Sequence, residues 1–221
     1  MKVLELFAGS RSIGRVAEAM GMEVFSVDLK PFEGIDLAID IEDLLPRHIP
    51  FTPDIIWASP PCTTYSLAAI SHHREPDGTP KTEFAAKSDR LVKKTLHVIR
   101  SYPDAMFYIE NPRATLRKRP FMRGIPRATV WYCKYGDTRA KPTDIWTNNL
   151  RSFFCPDGWQ PRPECFNGNT RCGHDLAPRG AKTGTQGLKG NYERSKLPQD
   201  LCVEVLFAAM DRITADHEGA A

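Results

Sequence analysis

Apolar residues in this chain come in short runs separated by turn formers, and the order of those runs sets out the elements. Val3-Leu4-Glu5-Leu6 reads as a strand that enters the glycine turn Phe7-Ala8-Gly9-Ser10-Arg11-Ser12. Arg15-Val16-Ala17-Glu18-Ala19-Met20-Gly21 follows with helical apolar spacing and Gly21 as its C-cap. Strands are expected at Glu23–Asp28, at Asp54-Ile55-Ile56 and at Met106–Ile109. Leu91, Thr95, Val98 and Ile99 repeat at helical spacing, so the stretch from Ser88 to Ile99 reads as a packing helix. Pro198 to Ala215 reads as a closing amphipathic helix with proline in its first turn, followed by a frayed tail, Asp216 to Ala221. Strand, turn, helix, strand is the opening of an open α/β sheet, in which ligands bind at the carboxyl ends of the strands.

Chemistry-bearing residues gather at those ends. Trp57-Ala58-Ser59-Pro60-Pro61-Cys62-Thr63-Thr64-Tyr65-Ser66 places a thiol just past a buried strand, on a double-proline turn. The prolines fix their own φ and keep the backbone out of helix, so Cys62 is rigidly set, as a nucleophile needs to be. Gly9 lets a ligand approach the backbone closely, and the helix beyond it offers free N–H groups. Asp28 ends a strand about twenty residues after that turn, a spacing suited to gripping a ribose. Asp40, in Ala38-Ile39-Asp40-Ile41, is an acceptor for an adenine amino group. The spaced glycines of a dinucleotide fingerprint and the lysine of a phosphate-binding loop are both absent, which leaves a nucleoside cofactor. Glu110 ends another strand at the same edge. A carboxyl beside a nucleophilic thiol suits covalent activation of a pyrimidine. The thiolate adds to cytosine C6, Glu110 holds the N3/N4 edge and protonates N3, and C5 becomes nucleophilic enough to take a methyl group from S-adenosylmethionine.

Phe7-Ala8-Gly9, Pro61-Cys62 and Glu110-Asn111 resemble, in the same order, the cofactor, nucleophile and base-holding motifs of the DNA cytosine-5 methyltransferase family, small phage-type members above all. The resemblance implies a Rossmann-like, doubly wound, mostly parallel α/β sheet of the S-adenosylmethionine-dependent type with a small irregular recognition appendage. It implies that Phe7 stacks on the adenine, that Asp28 binds the ribose and that Asp40 meets the adenine amino group, with Ala8, Gly9 and Pro60 completing the cofactor wall. Tyr132 to Thr143 resembles the strand pair whose arginine supports the flipped base, here Arg139, with Lys134, Lys141 and Arg151 competing for that role. Gly190-Asn191-Tyr192 resembles the segment that returns to the cofactor pocket, through Asn191. Departures are Ser10-Arg11-Ser12 in place of a glycine pair, proline after Asn111, a serine before Pro60-Pro61, and Thr63 in place of glutamine. Three other readings stay open: methylation of the exocyclic N4, which Ser-Pro-Pro also suggests; an RNA substrate; and an inactive DNA-binding homologue.

Length and charge refine the picture. A chain of 221 residues can bury a full core. We expect a catalytic, cofactor-binding unit over 1–146, a recognition segment over 147–187, and 188–221 returning to the catalytic unit. A strand at residue 2 leaves no room for a signal peptide, and no run is long enough to span a membrane, so a soluble, monomeric protein of the cytoplasm (bacterial or phage-infected) is expected. The net charge is +3, yet from Asn111 to Gly136 there is no acid at all. Arg113, Arg117, Lys118, Arg119 and Arg123 in this stretch are expected to neutralise phosphates of double-stranded DNA. The stretch from Ser66 to Lys87 reads as a loop that closes over DNA, with Ser66, His72 and His73 as contacts. Cys155, Cys165, Cys172 and His174 lie in a Pro-, Gly- and Asn-rich segment and are candidate ligands for a structural zinc ion. That segment is short, which implies a short or degenerate target site, or a protein partner that supplies specificity.

Overall fold

The computed structural model describes residues 1–153, 155–175 and 190–218, apart from the side chains of Asn191 and His217. Seven strands form one sheet: β1 (Lys2–Leu6), β2 (Glu23–Asp28), β3 (Leu37–Ala38), β4 (Ile55–Ala58), β5 (Met106–Pro112), β6 (Arg127–Trp131) and β7 (Pro142–Thr147). Their order is β3-β2-β1-β4-β5-β7-β6; the first five run parallel, and β7 enters antiparallel between β5 and β6. The helices are α1 (Ser12–Ala19), α2 (Ile70–His73), α3 (Glu83–Arg100), α4 (Asn191–Ser195) and α5 (Gln199–Glu218).

Strand alternation divides the core into two layers, because successive side chains leave opposite faces of a sheet. Val3, Ile55, Trp57, Tyr108 and Ile145 pack with Ile13 and Ala17 of α1 and with Leu201 and Val205 of α5. Their neighbours Leu4, Ile56, Ala58, Ile109 and Trp146 face the other way, onto Leu91, Val92, Val98 and Ile99 of α3. Central strands buried on both faces need an unbroken apolar run, and Ile55-Ile56-Trp57-Ala58 supplies one. Glu5 is the polar exception. Its carboxylate accepts from the Ile13 amide (3.2 Å) and the Ser26 hydroxyl (3.0 Å), and burial raises its pKa to about 7.

The chain leaves β1 through α1 to reach β2 on one side, then returns to place β4 on the other. The strand order therefore reverses beside β1, and such reversals open a crevice at the carboxyl ends of the strands. The Phe7–Gly9 turn and Pro60–Cys62 flank it.

Three expectations need correction. Tyr132 to Thr143 is not a strand pair: β6 ends at Trp131, a 3-10 turn covers Tyr132–Tyr135, and Gly136 (φ 81°) closes it before β7. The tail expected to fray from Asp216 continues α5 to Glu218, and residues 219–221 lie outside the described span. The stretch after Ser66 contains α2 and is fastened down, as detailed below. Residues 176–187 of the expected recognition segment also lie outside the described residues. Its earlier part docks on α5 through Trp159, whose indole N–H donates to Glu204 (3.0 Å), and Arg162, which donates to Glu204 (2.8 Å) and to the Lys134 carbonyl (2.8 Å).

Candidate active site

Cys62 follows the buried Pro60 and the half-buried Pro61 beyond β4, and opens a 3-10 turn over Thr63–Tyr65. The Tyr65 and Ser66 amides both donate back to its carbonyl (3.1 Å each), so the thiol rides on a closed turn. Asn111, fully buried at the end of β5, donates from its side-chain amide to the Pro60 carbonyl (2.9 Å). That bond joins the two strand ends and brings Glu110 to the same edge as Cys62.

The charges around the thiol oppose one another. Burial pushes the Cys62 thiol up, and the Glu110 carboxylate pushes it further; Lys141 and then Arg194 pull it down. Lys141 is itself held below the ordinary lysine range by burial, against the pull of Glu110 and Cys62. Its ammonium donates to the Arg194 carbonyl (3.1 Å) and sits 4.6 Å from the centre of the Tyr132 ring. Tyr132 is wholly buried, and its hydroxyl donates to Glu110 Oε1 (3.0 Å). Burial first, and then the charge of Glu110, keep that phenol protonated far above its usual range. Sequence reasoning assigned no role to Tyr132, because a tyrosine after a strand looks like any core aromatic.

Arg139 reaches the site only from behind. Its guanidinium grips Asp137 and donates to the Arg194 and Lys196 carbonyls (3.4 and 3.1 Å), with its carbon 5.4 Å from the Tyr132 ring centre. The charge of Lys141 acts on both Cys62 and Glu110, and that of Arg139 acts on Glu110.

On the cofactor side, Phe7 adopts φ 56° and Gly9 φ 33°, the left-handed region that glycine tolerates best. The Ala8 amide donates to the Val27 carbonyl (3.1 Å) and the Gly9 amide to Asp28 Oδ2 (3.0 Å), so the turn lies across the end of β2. Asp28 also accepts from the Lys30 amide through Oδ1 (3.0 Å). A carboxylate has about four acceptor positions, so two remain for vicinal hydroxyls, and the residue fits the ribose of a nucleoside cofactor. Asp40 fits less simply. It accepts from the Glu42 amide (3.0 Å) and pairs with Lys87 (2.6 Å), whose hydrogen bond holds its carboxyl below the usual range. The chain does return to this pocket: the Leu197 amide donates to Ser12 Oγ (3.1 Å), and the Tyr192 ring lies 6.4 Å from Phe32. Asn191 is the first residue of α4, and its side chain lies outside the described residues.

The segment after the thiol is built around Arg74, a residue the pattern of the sequence did not mark. Its wholly buried guanidinium pairs with Asp89 (2.7 Å) and donates to the Thr64 carbonyl (2.9 Å) and the Gly78 carbonyl (3.1 Å), while Tyr65 donates its hydroxyl to the same Asp89 (2.8 Å). Ser66 is half-buried and accepts from the Ala68 amide (3.3 Å); His72 is exposed, and His73 bonds Thr82 (3.1 Å). Among the basic residues beyond β5, Arg113, Lys118 and Arg123 are exposed. Arg119 is not available to DNA: it is buried, and it donates to the Gly78 carbonyl. Arg117 is committed to the buried carboxylate of Asp144 on β7. An acid-free run in sequence thus hid an acid that arrives from another strand.

The Cys/His cluster also needs a correction. Cys165, Cys172 and His174 come together, but the fourth member is Cys133, and all four ligand atoms lie within 4.8 Å of one another. Cys155 instead accepts from Arg212 (3.4 Å). All six cysteines are free thiols, and no helix among the described residues is long and apolar enough to cross a membrane.

Comparison with known proteins places this geometry. No protein-family profile matches the chain. Over 224 residues it is 29% identical to a protein of Frog virus 3 (isolate Goorha) named "Probable DNA (cytosine-5)-methyltransferase", covering 93% of this chain and 99% of the relative. The methyltransferase EhMeth of Entamoeba histolytica superposes with a TM-score of 0.52 at 15% identity, over 76% of this chain and 58% of the other. Dnmt2 of Schizosaccharomyces pombe gives 0.45 at 13% identity, over 66% of this chain and 48% of the other. The chain therefore spans only about half of the solved structures it resembles, while matching the viral relative almost end to end. The likeness to EhMeth is one of fold.

Proposed function

We propose that the chain is a member of the DNA (cytosine-5) methyltransferase family, and that it methylates C5 of cytosine in duplex DNA through a covalent bond from Cys62 to C6 of a flipped base. The observation that carries this reading is the joining of two strand ends by the Asn111–Pro60 bond, which sets a thiol and a carboxylate at one edge of the sheet. A cytosine inside a duplex has both ring faces covered, so a base attacked at C6 must leave the stack.

Each residue then has a stated task. Cys62, as thiolate, forms the bond to C6. Glu110, oriented by the Tyr132 hydroxyl, binds the N3/N4 edge and provides the proton at N3, so that negative charge does not accumulate on the ring. Lys141 offsets the charge of Glu110 and favours the thiolate. The carbon–sulfur bond makes C5 nucleophilic; once C5 carries the methyl group its proton passes to solvent water, the carbon–sulfur bond breaks to release the thiolate, and N3 returns its proton to Glu110. S-adenosylmethionine supplies the electrophilic methyl group when bound at the Phe7–Gly9 turn. Asp28 has acceptor positions for its ribose, Phe7 offers a face to the adenine, and Ala8 and Pro60 form the wall. Asp40 meets the adenine amino group while keeping its bond to Lys87.

DNA is held by the exposed Arg113, Lys118 and Arg123, with Ser66, His72 and His73 of the segment after the thiol as further contacts. The small recognition segment leaves few side chains for base edges, which supports a short or degenerate target, or a protein that supplies specificity.

The test is nucleoside mass spectrometry of unmethylated duplex DNA incubated with protein and S-adenosylmethionine, beside Cys62→Ala. Cysteine-dependent 5-methyldeoxycytidine is expected, together with covalent trapping on DNA that carries 5-fluorocytosine. N4-methyldeoxycytidine, or product that survives Cys62→Ala, would overturn the mechanism.

A further inference from the structure

Away from the thiol, three cysteines and a histidine from separate parts of the chain converge without any bond between the sulfurs. Cys133 comes from the 3-10 turn after β6, whereas Cys165, Cys172 and His174 come from the irregular segment after β7. We propose that Cys133, Cys165, Cys172 and His174 bind one structural zinc ion, and that this ion fastens the irregular segment to the turn that carries Tyr132.

The geometry is close to what zinc requires. Tetrahedral Zn–S bonds of about 2.3 Å put ligand atoms roughly 3.8 Å apart. Here all four atoms lie within 4.8 Å of each other, so a contraction of about an ångström completes the set. The three sulfurs and one nitrogen, with no carboxylate, select zinc over the hard cations that prefer oxygen. The four ligands leave no open position, as a structural rather than a catalytic site demands.

The surroundings already orient the ligands. His174 turns Nδ1 toward Cys165 (3.9 Å) and Nε2 toward the Asn167 carbonyl (3.3 Å). With the proton on Nε2, that carbonyl fixes the tautomer that leaves Nδ1 free to ligate. The side-chain amide of Asn169 donates to Cys165 Sγ (3.4 Å), a bond that favours a thiolate. Trp131 and Ala140 form an apolar wall behind the cysteines, which excludes water from the ligand bonds. Beyond His174 the backbone stays fastened, with the Asp175 amide donating to the Thr138 carbonyl (2.8 Å).

A purpose follows from position. Residues 161–175 contain no helix or strand, so little in their own backbone pairing could hold them. Zinc displaces three thiol protons to solvent and converts its binding free energy into folding free energy for such a segment. Cys133 adjoins Tyr132, so the same ion steadies the residue that orients Glu110. The site needs no part of the methylation reading, and it stands or falls separately from it.

The decisive measurement is elemental analysis of the untagged full chain, purified without chelator, alongside Cys133→Ser, Cys172→Ser and Cys155→Ser. About one zinc per chain is expected in the parent and in Cys155→Ser, with loss of the metal in the other two. If Cys133→Ser fails to fold, alkylation of the unmutated protein decides. Cys133, Cys165 and Cys172 should be protected until a chelator is added, while Cys155 reacts at the same rate with or without it. Cobalt substitution should give a thiolate-to-metal absorption band and the strong visible bands of a tetrahedral site. Substoichiometric zinc after growth with added zinc, a disulfide among the four, or loss of the metal on Cys155→Ser would each overturn the assignment.

Discussion

The negative charge of Glu110 disfavours the thiolate of Cys62, and the site is arranged around that conflict. Tyr132 holds the carboxylate by one hydrogen bond, and hydrogen bonds to charged groups contribute about 1.5–3 kcal/mol. Tyr132→Phe should therefore lower kcat about 10- to 100-fold, leave the KM for DNA within about twofold, and lower stability by no more than about the 1.5–3 kcal/mol of the lost bond. Steady-state kinetics beside a melting curve separates this positioning role from a merely structural one; an unchanged kcat would remove Tyr132 from the mechanism. The thiol provides a second reading of the same field. Because burial and Glu110 both push its pKa up, the free enzyme carries the protonated thiol near neutrality, and its alkylation rate should climb with pH. Glu110→Gln removes a negative neighbour and should move that profile to lower pH, whereas Lys141→Ala removes a positive one and should move it to higher pH. Iodoacetamide rates across a pH series give both midpoints, and a shift of the same sign in both variants would refute this account of the field. At this scale the pair proposed to react was legible in the sequence, since Pro60-Pro61-Cys62 and Glu110-Asn111 are contiguous motifs. The choice between Arg139 and Lys141 was not, because it depends on Asp137, Arg194 and Lys196, which the fold brings around them.

Strands and helices with a clear period were readable: β2 has the bounds its alternating pattern gives, and α3 buries Leu91, Thr95, Val98 and Ile99 as their spacing requires. Polar order leaves no such trace. The stretch after Ser66 has turn formers and no apolar period, so it reads as a free loop, yet a wholly buried arginine sits at its centre. Arg74 satisfies the carbonyls of Thr64 and Gly78 and pairs with Asp89 of α3, beside the turn that carries Cys62. Exposed positions lie on both sides of it, at Leu67, Ala68, Ser71 and His72 and again at Glu75, Pro76, Asp77 and Thr79. Removing one member of a buried ion pair typically costs about 3–5 kcal/mol, because the partner is left charged and unpaired. Arg74→Ala should therefore destabilise the protein by about that amount in denaturant unfolding. It should also depress methylation more than an exposed change such as His72→Ala. Equal stability in the two variants would show that the Arg74–Asp89 pair does not hold this element. The membership of the Cys/His cluster was misread for a related reason. Cys155 is near the other three in sequence, but Cys133 reaches them only because β6 and β7 fold back on each other.

For the whole molecule, the question is which of its charges face outward. The acid-free run after Glu110 suggests a uniform basic surface, but the fold divides it. Arg117 neutralises Asp144 inside the sheet, Arg119 braces Gly78, and Arg113, Lys118 and Arg123 remain exposed. Only the exposed set can exchange counterions with DNA phosphates, and each phosphate contact adds about 0.9 to the slope of log K against log salt concentration. The double change Lys118→Ala/Arg123→Ala should therefore weaken DNA binding across unrelated sequences and reduce that slope by about 2, with the fold intact. Arg119→Ala should do the opposite on both counts. It leaves the salt slope as it was, and it lowers the unfolding midpoint, because the Gly78 carbonyl keeps only its bond from Arg74 and the two segments flanking the thiol lose a tie. Fluorescence anisotropy titrations at several salt concentrations, beside unfolding curves for the same variants, measure both quantities. If Arg119→Ala flattened the slope as much as the surface pair, the division between structural and DNA-facing cations would be wrong, and the basic run would have to be read as the sequence alone suggests.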